Sequence, residues 1–209
     1  AKRAKEERPR PEKVKKTFSG AILAGGMSRR MGFNKAFIEI DGLSIIERTS
    51  RTMAAVFSSP AIIANDTTLY SHLGLPVYPD VIKDAGSLGG IYTALYHSRE
   101  EYAFVTACDM PWLDQRCVRR VLENVEDEDC VIPFISGRLH PMHAAWSKNC
   151  MKELEAAINK GNLRINDLLR RINMKKLGED IFDGLPIQRS VENVNTTDDL
   201  ERTGLDEKK

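Results

Sequence analysis

Across residues 17–122, short apolar runs bounded by turn residues alternate with stretches whose apolar positions recur every three or four residues. That alternation is the pattern of a parallel sheet covered by helices on both faces, a three-layer α/β arrangement. Residues 18–24 predict the first strand. Ser44-Ile45-Ile46-Glu47 has capping-box spacing and opens a helix with apolar positions at Ile45, Ile46, Met53, Val56 and Phe57. Residues 61–64 predict a second strand, and Val77-Tyr78 a short third. Residues 80–90, DVIKDAGSLGG, predict a loop leading into a helix that contains Ile91, Ala94 and Leu95. Residues 102–107 predict a buried strand ending at Cys108-Asp109-Met110-Pro111, after which Asp114 caps a helix carrying Val118, Val121, Leu122 and Val125. Asp109 thus falls at the carboxyl end of a central strand, where open α/β sheets hold their ligands.

The pattern changes from Cys130 onward. Residues 131–134 and 139–146 predict a hairpin around Ser136-Gly137, followed by a helix over about residues 147–159 that Gly161 stops. A further helix, residues 165–172, precedes an apolar stretch at Ile181-Phe182. The expected sheet is mostly parallel, with a mixed edge in this second half.

Charge divides the chain unevenly. The formal net charge is +1, yet residues 1–16 hold eight Lys or Arg against three Glu, so the remainder stands at −4. That opening segment has too little apolar surface to order itself and is expected as a basic tail or linker, with residues 17–209 forming a single domain. The absence of an initiating Met fits a piece of a longer polypeptide. A mildly acidic body gives no duplex-binding face, which excludes nucleic acid as the expected partner. No run approaches the roughly eighteen apolar residues of a membrane span, and no apolar core follows the basic start as in a secretory signal. Cys108, Cys117, Cys130 and Cys150 form no C-x-x-C pair, so zinc ribbons and thiol redox motifs drop out. They are expected to be reduced thiols in a cytoplasmic protein. His72, His97 and His143 have no metal-ligand spacing, and Trp112 and Trp146 are expected as packing residues.

Candidate chemistry concentrates in LAGGMSRRMGFNK, residues 23–35. Its glycines let amide N–H groups approach phosphate oxygens, and Arg29, Arg30 and Lys35 supply countercharge. Neither the dinucleotide fingerprint nor the ATPase loop fits, because after Gly25 and Gly26 the next glycine is Gly32, followed by Phe33. A Rossmann oxidoreductase is disfavoured, because the chain lacks its glycine fingerprint. The run reads L-A-G-G-x-S-x-R-M-G-x-x-K, which resembles the signature of nucleotidyltransferases that join an NTP to a phosphorylated acceptor. Such transfer needs a cation against the phosphates and a hard oxygen ligand for a divalent ion; Lys35 and Asp109 suit those parts.

Taken with YPDVIKDAGSLGGIYTAL, FVTACDMPWL and ENVNTTDDL, the glycine loop resembles the molybdenum cofactor guanylyltransferases, the MobA family. The resemblance implies a Rossmann-like nucleotidyltransferase fold and transfer of GMP from Mg-GTP to the terminal phosphate of molybdopterin, or of Mo-molybdopterin, with release of pyrophosphate. By position it implies that Leu23, Ala24, Gly25 and Gly26 contact the nucleotide and that Lys35 holds phosphates. Asn65 and Asp80 read the guanine, an Asp carboxylate being able to accept from its N1–H and exocyclic amine together. Asp109 binds Mg2+, Asn193 and Asn195 sit near the acceptor, and Lys35, Asp109 and Arg29 are the expected catalytic set. Proteins that deliver the pterin and receive the finished cofactor are implied as transient partners. The chain departs from the family at Ser87, where a proline is common. Gly137-Arg138-Leu139-His140-Pro141 resembles the family's G-R-x-x-P element, in which Arg138 and His140 either approach the pterin phosphate or form a solvated hairpin tip. Two rivals remain: a cytidylyltransferase acting on the same pterin or a small phosphorylated acceptor, and a nucleotide- or pterin-binding module without catalysis.

Overall fold

The computed structural model describes residues 16–25 and 34–194. Strand β1 (Phe18–Leu23) opens the chain, and after a turn of 3-10 helix at Lys35–Phe37 a small hairpin pairs β2 (Glu39–Ile40) with β3 (Leu43–Ser44). Helix α1 (Ile45–Ala54) starts on the expected capping box: Ser44 Oγ accepts from the Glu47 N–H at 3.3 Å, and Glu47 Oε2 accepts from the Ser44 N–H at 2.8 Å. Two orphan donors are satisfied reciprocally, which fixes where the helix begins. Then come β4 (Ala61–Ile63), β5 (Val77–Tyr78), α2 (Gly86–His97), β6 (Tyr102–Ala107) and α3 (Gln115–Glu123). The second half adds β7 (Cys130–Ile135), β8 (Arg138–Leu139), β9 (His143–Ser147), α4 (Met151–Asn159), α5 (Ile165–Leu169), β10 (Met174–Leu177) and α6 (Ile187–Ser190).

The main sheet runs in the order β10-β7-β9-β6-β1-β4-β5, with β8 paired to β7 off that path. Strands β5, β4, β1 and β6 are parallel neighbours, β9 is antiparallel to both β6 and β7, and β10 is parallel to β7. The mixture expected in the second half therefore enters through one interior strand. Side chains alternate across the sheet, as the two-residue period demands. Along β6, Tyr102 and Phe104 join a core with α1 and α3, while Ala103 and Val105 join another with α2, α4 and α5. Both faces are filled, which accounts for the near-continuous apolar run of β6.

Local differences from the sequence reading have local causes. The stretch expected as a loop up to Gly90 becomes helical at Gly86, whose φ of +55° turns the chain into α2. The single strand expected over residues 139–146 is split into β8 and β9, because Pro141 has no N–H to give the ladder. Ser147 belongs to β9, so the helix expected from there starts as a 3-10 turn at Lys148–Cys150 and continues as α4. Helix α5 ends at Leu169, short of Ile172. The β2–β3 hairpin and β10 were not foreseen. Asp41 and Gly42 have φ of +52° and +77°, the backbone of a two-residue Asp-Gly hairpin loop, and that dipeptide was the available signal. Among the described residues no helix is long and apolar enough to cross a membrane. All four cysteines are free thiols.

Candidate active site

The carboxyl ends of β1, β4 and β6 converge on a cavity of about 430 Å³ whose lining includes Leu23, Ala24, Gly25, Lys35, Asp80, Asp109 and Asn193. A hollow of about 990 Å³ opens at the opposite end of β1, around Lys16, Phe18 and Phe57, and holds none of the expected site residues. Size does not decide between them. Ligands of open α/β sheets sit beyond the carboxyl ends of the strands, and only the smaller cavity gathers the chemistry.

Backbone bonds hold the entry of the glycine loop in place. The Ala24 N–H donates to the Ile63 carbonyl at 2.9 Å, and the Cys108 N–H donates to the Leu23 carbonyl at 3.0 Å. Helix α2 lies so close behind that a Cβ on Gly90 would stand 2.8 Å from Leu23 Cδ1. Gly26 and Arg29, with the rest of residues 26–33, lie outside the described residues, as does Asn195. Past the loop, Asn34 caps the turn that presents Lys35: its Oδ1 accepts from the Ala36 N–H at 3.0 Å.

Asn65 and Asp80, which follow β4 and β5, form a reciprocal pair. Asn65 Nδ2 donates to Asp80 Oδ2 at 2.9 Å, while Asn65 Oδ1 accepts from the Asp80 N–H at 3.0 Å. The next residue is anchored too, since the Val81 N–H donates to the buried Thr93 hydroxyl at 3.0 Å. Burial pushes the Asp80 carboxyl above its usual range, and the Asn65 hydrogen bond pulls the other way. The pair presents an oriented acceptor at the cavity wall.

Asp109 sits in the turn after β6. Burial raises its pKa, opposed by a hydrogen bond from its own backbone N–H and by the Lys35 ammonium. Oδ1 is buried and has no hydrogen-bond partner among the described residues. A buried carboxylate oxygen without a partner is costly, so the site fits a cation there. No cluster of three or more His, Cys, Asp or Glu suited to a metal exists among the described residues. The neighbouring Cys108 thiol is driven up to about 12 by burial and stays protonated. The Val194 N–H donates to the Asp109 carbonyl at 2.9 Å, which brings Asn193 to the cavity from far along the chain.

Arg138 is exposed on the β8 tip, and His140 Nε2 stands 3.4 Å from the Ile135 carbonyl. Neither lines the cavity, although Met142 does. Sequence reasoning did not single out Tyr70, whose hydroxyl donates to the Ala24 carbonyl at 3.1 Å and accepts from Asn34 Nδ2 at 2.9 Å. An aromatic residue inside the polar stretch NDTTLYSHLG was the only hint.

Fold and cavity define an α/β protein in which Lys35, Asp80, Asp109 and Asn193 gather on one cavity at the carboxyl rim of the sheet. Residues 20–177 match the family described as MobA-like NTP transferase domain. The chain belongs to that family. It is 35% identical to a probable molybdenum cofactor guanylyltransferase of Aquifex aeolicus, over 87% of each chain. It is 33% identical to the molybdenum cofactor guanylyltransferase of Desulfosudis oleivorans, over 88% of this chain and 93% of that one. The crystal structure of molybdopterin-guanine dinucleotide biosynthesis protein A from Archaeoglobus fulgidus superposes with a TM-score of 0.74 at 28% identity, covering 88% of this chain and 95% of that one.

Proposed function

We propose that this protein transfers GMP from GTP to the terminal phosphate of molybdopterin or Mo-molybdopterin, forming the guanine dinucleotide cofactor and pyrophosphate. An acceptor phosphate oxygen attacks the α-phosphorus; a new P–O bond forms, the bond to the β-phosphate oxygen breaks, and pyrophosphate leaves. The observation that carries the reading is the buried Asp109 Oδ1, without a hydrogen-bond partner among the described residues and under the influence of the Lys35 charge, in the cavity that also holds Asp80. Proteins named for this activity match nearly the whole chain, which favours GTP over the cytidylyl alternative and catalysis over mere binding.

Each residue has a part. Leu23 to Gly25 line the cavity against the nucleotide, and Lys35 neutralises charge as it passes toward the departing pyrophosphate. Asp80, steadied by Asn65, accepts from the guanine N1–H and exocyclic amine. Asn193 faces the acceptor. The family works with a divalent cation, and our reading of this site is Mg2+ held by Asp109. Bound there, it would supply charge neutralisation across the phosphates. Arg29 and Asn195 belong to the same reading.

We take residues 17–209 as one catalytic domain, residues 1–16 as a basic tail or linker, and the cytoplasm as its place, consistent with four unpaired thiols. Proteins that hand over the pterin and accept the product are its expected transient partners. The test is pyrophosphate release with each of the four NTPs, with and without molybdopterin and magnesium. Release that requires GTP, acceptor and metal together supports the assignment. A preference for CTP, or no release at all, overturns it.

A further inference from the structure

One phenol bridges the two stems of the glycine loop. Tyr70 is 1% exposed, and its hydroxyl touches Ala24 on the entering side and Asn34 on the leaving side. The hydroxyl has one proton to give and lone pairs to receive, so it donates to the Ala24 carbonyl and accepts from the Asn34 amide. Asn34 then has one orientation that serves both its partners: Nδ2 toward the phenol and Oδ1 toward the Ala36 N–H. That same Oδ1 contact caps the turn whose first residue is Lys35. Phe37, at the end of that turn, stacks on the Tyr70 ring at 5.6 Å and 19°. Ring and hydroxyl therefore grip the same short segment from two sides.

We propose that Tyr70 is a positioning residue for transfer: by fixing Asn34 against Ala24, it sets the direction in which Lys35 meets the triphosphate. The inference rests on the proposed role of Lys35. Tyr70 itself touches no substrate, because its hydroxyl is spent on the protein.

The molecule contains its own control. Tyr102 is also 1% exposed, and its hydroxyl lies 3.1 Å from the Glu128 carbonyl and 3.3 Å from the Glu126 carbonyl. Those contacts lie at the amino end of β6, away from the cavity. Tyr70→Phe and Tyr102→Phe each remove one buried phenol hydroxyl and keep the ring, so their structural costs are matched. GTP affinity, measured by displacing a fluorescent GTP analogue, and steady-state constants are compared for both. Tyr70→Phe is expected to lower kcat/KM for GTP about tenfold and GTP affinity about threefold, a loss of the size one hydrogen bond commands. Tyr102→Phe is expected to lower the melting temperature similarly and keep wild-type constants. In a Lys35→Ala background, Tyr70→Phe should add less than about threefold, since both changes act on one side chain. If Tyr70→Phe folds poorly, Asn34→Ala tests the same link and should give the same kinetic loss. Constants for Tyr70→Phe equal to those of Tyr102→Phe, or full additivity with Lys35→Ala, would overturn the proposal. A wild-type protein that binds GTP and transfers nothing defeats the proposed function instead, and the affinities still judge Tyr70.

Discussion

Acidification should strip stability from this fold chiefly through the fully buried imidazole of His143, with His140, whose pKa burial also lowers, adding in the same direction. His143 lies in β9 with no exposed surface, its ring edge-on to Phe104 at 5.2 Å and its Nε2 3.0 Å from Ser190 Oγ. Nδ1 has no partner among the described residues. Burial drives its pKa from 6.5 to about 4; its backbone hydrogen bond opposes this, His140 adds to it, and Asp114 opposes it weakly. Above pH 6.5 the ring is neutral in both folded and unfolded chains and contributes no slope. Below that, the unfolded chain takes a proton that the folded chain refuses until about pH 4, so stability falls as pH falls through this window. The interval corresponds to about 3 kcal/mol, a sizeable part of the about 5–15 kcal/mol that holds a domain together. Asp80 and Asp109, whose pKa values are raised, push the other way in the same range, so the wild-type curve alone does not isolate the histidine. Urea unfolding from about pH 7 to about pH 4 should therefore be run on wild type and on His143→Gln. The wild type should lose about 3 kcal/mol more than the variant across that range. Parallel curves would refute the argument from burial.

Asp109→Asn should reduce turnover at least a hundredfold, about 2.7 kcal/mol, while GTP affinity measured without metal stays near wild type; unchanged turnover would remove the cation-ligand assignment. Lys35→Ala should lower kcat by a larger factor than it weakens GTP binding, because much of its contribution arises as charge redistributes, and equal losses would contradict that role. Asp80→Ala should cut the preference for GTP over ITP, which lacks the exocyclic amine, by about tenfold in kcat/KM. A preference unaltered in the variant would place base choice elsewhere.

Most of the first half of the fold was legible because its signals are local. Ser44 and Glu47 state the start of α1 in four residues, and the near-continuous apolar run of β6 announces a strand buried on both faces. The second half was less legible because its order depends on distant pairing. Strand β10 reads Met-Lys-Lys-Leu, with little apolar character, and becomes a strand by adding to the edge of β7. Of the candidate site, Lys35 and Asp109 could be named from the chemistry of their motifs and Asn65 and Asp80 only from the family resemblance; the last three lie just beyond the carboxyl ends of β4, β5 and β6, and Lys35 in the turn after the glycine loop. Tyr70 could not be named. Its importance comes from two contacts, 46 and 36 residues away in sequence, that no local pattern encodes.

The bond between Val194 and the Asp109 carbonyl has a consequence for the order in which this protein becomes itself. Strands β1, β4, β5 and β6 can associate before the elements that follow them have been made. Asn193 joins the cavity only after every strand of the sheet has been synthesised. A nascent chain can thus own part of this cavity before it owns all of it, and the finishing piece comes from beyond the last strand of the sheet.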